Sequence, residues 1–319
     1  MIPSGTVLLH AQSVSTALWS AATQHSVAGR VHSVFRSAVN VLSGDRLITV
    51  AAPQVGALPN GLVIREDVDF HALGLAPEMV VGGDGMSLQI PDANIAIDIT
   101  EAAPWSPKLA PAAQSRLPTE LASNLRAALP VAAAKAPRGG FGPLLAILVP
   151  PSHWLPEPDL PPLCEVAQRA MVAVLAGRDV GDHQQAVEAA RLLIGLGDGV
   201  TPSGDDFIVG MCAALRVAGH PCAEALATGC VRFARGRTTL VAETFLIHAA
   251  RGEYSERVHT LLDALFHSSP DALPNQVAEV LGWGYSSGAD LLLGVLLGLA
   301  AACYARGGTV NETVRAHTA

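Results

Sequence analysis

The 319-residue sequence predicts an α+β protein, with a mainly antiparallel β domain followed by an all-helical one. Three observations carry this. Short apolar runs bounded by Gly, Asn, Asp and Pro fill the N-terminal third. Six prolines between Pro150 and Pro162 exclude regular structure there. Beyond Leu163, apolar residues recur at helical spacing with short Gly- or Pro-bearing connections. Domains are therefore expected at 1–150 and 163–319, joined by a proline-rich linker at 151–162.

Taken in order, Ser13 to Ala28 has a pattern compatible with a helix. β-type runs follow at Arg30–Phe35, Ala38–Leu42, Leu47–Ala52, Gly61–Glu66, Met79–Val81, Met86–Ile90 and Ile95–Thr100. Turn formers such as Ser43-Gly44-Asp45, Pro59-Asn60-Gly61 and Gly82-Gly83-Asp84-Gly85 separate them. Thr119–Ala128 predicts a helix and Pro143–Val149 a buried strand. Helices are then expected at Leu163–Ala176, His183–Ile194, Asp206–Ala218, Cys222–Ala234, Thr239–Ala250, Tyr254–Phe266, Asn275–Leu281 and Asp290–Ala305.

The formal charge of −8, with no Lys/Arg run, argues against a nucleic-acid or anionic-membrane partner. Leu291–Cys303 is too short to cross a bilayer, and the N-terminus lacks the features of a secretory signal, so a cytoplasmic location is expected. Five cysteines without CxxC spacing or a companion His pair read as buried small hydrophobes. Lysine occurs only at Lys108 and Lys135, so a cation facing a small anionic substrate is expected to be an arginine.

The chemistry concentrates in one motif written twice. Ser203-Gly204-Asp205-Asp206 and Ser287-Gly288-Ala289-Asp290 share the spelling Ser-Gly-x-Asp-x-x-x-Gly, lie 84 residues apart, and open onto apolar helices. Helix starts carry outward, unpaired N–H groups that receive anions. In that reading Thr201, Ser203, Gly204, Ser286, Ser287 and Gly288 present donors to a phosphate or carboxylate. A plainer reading is also complete: Ser and Asp three residues apart form a local capping box, worth on the order of 1 kcal/mol per helix.

Gly195, Gly197 and Gly199, and the extra carboxylate of Asp205, exceed what capping needs. Asp205, Asp206 and Asp290 would repel a bare anion, because a helix start offers only about half a positive charge. A cation must intervene. It is either Mg²⁺ on Asp205 with Asp206 or Asp290, or Arg237 with Thr238 and Thr239 beside it; a solvated helix start capped by Thr238 or Thr239 is the alternative for that last segment. No organic cofactor is implied. Glu243 would share a helical face with Thr239 as a base or metal ligand, and His32, Arg36 and Asn40 would line a cleft.

At these residues the chain resembles the family of the AllH subunit of bacterial oxamate carbamoyltransferase, a domain family of unknown function. The likeness rests on the Gly195–Gly210 loop and helix, Arg237-Thr238-Thr239, Gly284–Asp290 and Val31–Asn40. It departs at Asp198, where the family commonly has proline. The resemblance implies a transferase subunit working with two other proteins in allantoin-type purine catabolism, moving a carbamoyl group between phosphate and oxamate. Two other classes remain open: a non-catalytic scaffold or regulatory partner, and a metal-assisted amide or phosphate hydrolase.

Overall fold

The computed structural model of the chain describes residues 5–18, 28–110, 119–148, 160–177 and 183–305. It divides into two compact units, Met1–Lys108 with Glu253–Arg257, and Leu109–Gly252 with Val258–Ala319. The division falls earlier in the chain than the proline-rich stretch, most of which lies outside the described residues.

The first unit is a nine-stranded sheet: β1 (Val7–Ser15), β2 (Ala28–Val34), β3 (Ala38–Ser43), β4 (Arg46–Ala51), β5 (Gly61–Ile64), β6 (Val80–Gly83), β7 (Ser87–Ile90), β8 (Ile95–Asp98) and β9 (Ala103–Trp105). The strand order is β5-β4-β3-β2-β6-β7-β8-β1-β9, and an added β1–β5 pairing closes the first eight of these into a ring. Most pairs are antiparallel, as the sequence predicts; β1–β8, β1–β9 and β4–β5 are parallel. Register shifts at Ala11/Ser13 in β1 and Val31/Ser33 in β2 supply irregularities of the kind that bend a sheet toward closure. Leu9, Val31, Val41, Val50, Ile64 and Ile97 fill the interior. The segment Glu253–Arg257 is tied into this unit: Glu253 pairs with Lys108 at 3.1 Å, and Glu256 Oε2 accepts the Ala57 amide at 2.8 Å.

The second unit is helical: α1 (Thr119–Lys135), α2 (Gly142–Ile147), α3 (Pro162–Gly177), α4 (Gln184–Ala190), α5 (Ser203–Val217), α6 (Cys222–Ala234), α7 (Leu240–Ala250), α8 (Glu256–His267), α9 (Leu273–Leu281) and α10 (Ser287–Ala305). α5 and α10, the helices that follow the two motif copies, pack along their length. All five cysteines are buried free thiols, and burial pushes Cys164 up to about 11 and Cys230 up to about 12.

Two sequence expectations need correction. The helix expected over Ser13–Ala28 starts later: strand β1 runs through Ser15, with Leu9 and Ala11 turned inward and Leu8 and Gln12 outward, residues 16–18 are helical, and 19–27 lie outside the described residues. Pro143–Val149 is not a strand. Gly142-Pro143 opens helix α2, because proline in a first turn gives up an N–H that has no partner there anyway. A short apolar run cannot by its periodicity tell helix from buried strand.

Candidate functional site

Both motif copies lie in the helical unit, and they meet. Thr201 Oγ1 stands 2.9 Å from Asp206 Oδ2 and 3.0 Å from Ser287 Oγ, so one hydroxyl joins the loop before α5 to the start of α10. The local capping box that the sequence also allowed does not form in the first copy. The N-cap of α5 is Pro202, which makes no side-chain cap. Instead Ser203 lies against Asp290 and Ser287 against Asp206, so each serine serves the other copy's aspartate.

The exchange reflects an internal quasi-repeat. The amide of Leu196 bonds to the Leu193 carbonyl and the amide of Gly204 to that of Leu196; likewise Trp283 bonds to Val280 and Gly288 to Trp283. Leu193–Gly204 in the first copy thus matches Val280–Gly288 in the second, with three more residues in the first connection. Those bonds also occupy the Gly204 and Gly288 amides, at 2.9 and 3.0 Å. The expectation that these two present free donors to an anion is therefore corrected: neighbouring carbonyls already accept from them.

Each aspartate knots a different segment. Asp205 Oδ2 accepts the Thr238 hydroxyl at 2.6 Å and the Gly195 amide at 3.2 Å. Gly195 has φ +71°, and a side chain there would fall 2.0 Å from the Arg237 carbonyl oxygen, so the chain passes closely only because this residue is glycine. Asp206 takes Thr201. Asp290 Oδ1 accepts the Phe141 amide at 2.6 Å, while its Oδ2 is buried without a hydrogen-bond partner among the described residues.

All three carboxylates are buried. Desolvation pushes Asp205 up to about 6 against the pull of Thr238 and Gly195, and Asp290 up to about 6 against Phe141, Ser203 and Ser286. It pushes Asp206 up as well; Ser287 and Thr201 oppose this, and the charges of Asp290 and Asp205 reinforce it.

Arg237, Thr238 and Thr239 join the first copy from the start of α7. Thr239 is the N-cap, accepting from Ala242 at 3.1 Å, and its hydroxyl donates to the Val200 carbonyl at 2.5 Å. Arg237 is exposed, and among the described residues its side chain reaches only the Arg191 carbonyl, at 3.4 Å. Asp205 is met by the Thr238 hydroxyl and the Gly195 amide, and Asp206 by the Thr201 and Ser287 hydroxyls. Among the described residues no three His, Cys, Asp or Glu converge on a metal-sized site.

Other candidates separate. Asp198 is exposed, and Glu243 makes no side-chain hydrogen bond or ion pair among the described residues. In the β unit Asn40 is buried in a network with Thr49 and Ser33, whereas His32 and Arg36 are exposed.

The reading from sequence missed Gly140 and Phe141. Gly140, at φ +56°, leaves no room for a side chain: a Cβ would lie 2.6 Å from Asp290 Oδ1. The Phe141 ring meets Phe207 of α5 edge-on at 6.4 Å. Their signal was Arg138-Gly139-Gly140-Phe141-Gly142-Pro143, a turn spelling hidden beside an expected strand.

Residues 193–299, which span both corners, match the family model described as oxamate carbamoyltransferase subunit AllH, and residues 10–104 match that of the AllH family N-terminal domain. The chain belongs to the AllH family. This makes it a carbamoyltransferase-type subunit, and the AllH match takes in α5, α7 and α10 as far as residue 299. No solved structure matches the chain. Among the described residues no helix is long and apolar enough to cross a membrane.

Proposed function

We propose that this AllH-family chain is a subunit of an oxamate carbamoyltransferase-like assembly in allantoin-type nitrogen catabolism, and that the helix junction forms part of its site for a small anion such as carbamoyl phosphate or oxamate. The observation that supports it is the convergence of the two corners through Thr201 and Ser287 at 3.0 Å. Helix starts α5 and α10 meet there, and the α7 start is tied in through Thr238 and Asp205.

The division of labour differs from direct contact by the aspartates. Asp205, Asp206 and Asp290 act as positioning residues, holding loops whose outer groups face a ligand. Arg237 is the anion-contacting group: its guanidinium is exposed, has no acidic partner among the described residues, and is anchored one residue before the Thr238–Asp205 bond. A planar fork of donors suits carboxylate and phosphate oxygens.

In calorimetric titration with oxamate and carbamoyl phosphate, Arg237→Ala is expected to weaken binding about tenfold or more at unchanged thermal stability, as loss of a charge-assisted contact should. Equal affinity in the variant removes the assignment. A scaffold role is the second reading, favoured by the internally satisfied Gly204 and Gly288 amides. Stable association with partner subunits, with neither ligand bound, would decide for it.

A further inference from the structure

We infer that Arg138, on the turn that clamps the second copy through Asp290, is a further anion-contacting residue of the junction. The inference rests on the small-anion reading above and extends it to a residue that the sequence reading did not single out.

Each motif copy is clamped by an outside segment through a buried aspartate. On the first copy the Thr238 hydroxyl holds Asp205 at 2.6 Å, and on the second the Phe141 amide holds Asp290 at 2.6 Å. Both clamps press backbone against a motif loop: the Arg237 carbonyl against Gly195, and Gly139 against the ring of Tyr285. Both also carry an exposed arginine, Arg237 directly before the clamping Thr238 and Arg138 three residues before the clamping Phe141.

The turn is fixed in place. A Cβ on Gly140 would meet the Asp290 carboxylate and the Ser286 side chain, and Cys164 Sγ approaches the Gly140 carbonyl at 3.4 Å. A guanidinium rooted on so constrained a turn is held close to one starting point, which lowers the cost of using it to bind.

Charge gives the second argument. In a chain of net charge −8, Arg36, Arg65, Arg191 and Lys108 all have carboxylate partners. Arg138 has none among the described residues, which it shares with Arg237 and with others such as Arg46 and Arg232; its place on the turn that holds Asp290 sets it apart from those two. Tyr285, the neighbour of its turn, is 84% exposed, an unusual position for a large ring in contact with a glycine. A guanidinium and an aromatic face on adjoining loops suit a small planar carboxylate or a phosphate-bearing amide: the fork takes the oxygens and the ring covers the flat part.

The test is calorimetric titration of the full chain with oxamate, carbamoyl phosphate and inorganic phosphate, comparing wild type with Arg138→Ala, Arg138→Lys and Arg237→Ala, with Tm read alongside. Arg138→Ala is expected to bind at least one probe about tenfold or more weakly at unchanged Tm, and Arg138→Lys to lose less because charge remains without the fork. Wild-type affinity in Arg138→Ala, with binding lost in Arg237→Ala, overturns this assignment and leaves the small-anion reading standing. Wild-type protein that binds none of the three removes both.

Discussion

Replacing Asp290 with asparagine is expected to stabilise the protein by about 2 kcal/mol at pH 7.5 and to change little at pH 4. Asp290 is buried, and desolvation holds its proton up to about pH 6, against an ordinary 3.8. Ionising it in the folded state therefore costs about 3 kcal/mol, from roughly 1.4 kcal/mol per pKa unit. Asparagine keeps an oxygen for the Phe141 amide and removes the charge that the unpartnered Oδ2 would share. Most of the ionisation cost should thus be recovered. The sign fixes the window. An acid whose folded value is raised binds more protons folded than unfolded between pH 3.8 and about 6. Stability from Asp290 is therefore fully present below that window and declines as pH rises through it. Asp205, also pushed up to about 6, acts in the same direction. Chemical denaturation of both proteins at the two pH values measures the effect. An asparagine variant less stable than wild type at pH 7.5 would show that the ionised carboxylate has a native partner.

How much of this was legible in the sequence depended on whether a signal was local. The turn glycines Gly44 and Gly85 mark β-turns by their own conformational freedom, and the intervening alternation gave seven strands nearly in register with those observed. The twin Ser-Gly-x-Asp motifs were legible as helix starts for the same reason. What they do there was not, because a capping box and a crossed exchange have the same spelling. Only the packing of α5 on α10 sends Ser203 to Asp290 and Ser287 to Asp206. Gly140 and Phe141 were harder still: their roles arise from a contact with a residue 149 positions away, between Phe141 and Asp290. Three parallel pairings and the closure of the β ring through β1 and β5 likewise depend on distant partners.

Alanine at Gly294 or Gly210 is expected to destabilise the helical unit by about 3 kcal/mol, the upper end of overpacking costs, although both sites are helical and alanine alone would add up to about 1 kcal/mol there. The packing decides. A Cβ at Gly294 would lie 2.1 Å from the Phe207 carbonyl oxygen, and one at Gly210 would lie 2.2 Å from that of Leu291. Phe207 follows Asp206 and Leu291 follows Asp290, so the two clashes are the same contact seen from each side of the quasi-repeat. Both obstacles are backbone in the facing helix, which cannot rotate aside as a side chain would. The helices must move apart, and that movement stretches the nearby link between Thr201 and Ser287. Two consequences distinguish this from a general loss of stability. The double variant should cost less than the two single losses together, since the first separation makes room for the second methyl. Gly82→Ala, in β6 with open space around the added carbon, should leave Tm unchanged. Thermal unfolding of the four proteins tests the argument, and a Gly294→Ala protein that melts with the Gly82→Ala control would mean that α5 and α10 do not cross as closely as their glycines require.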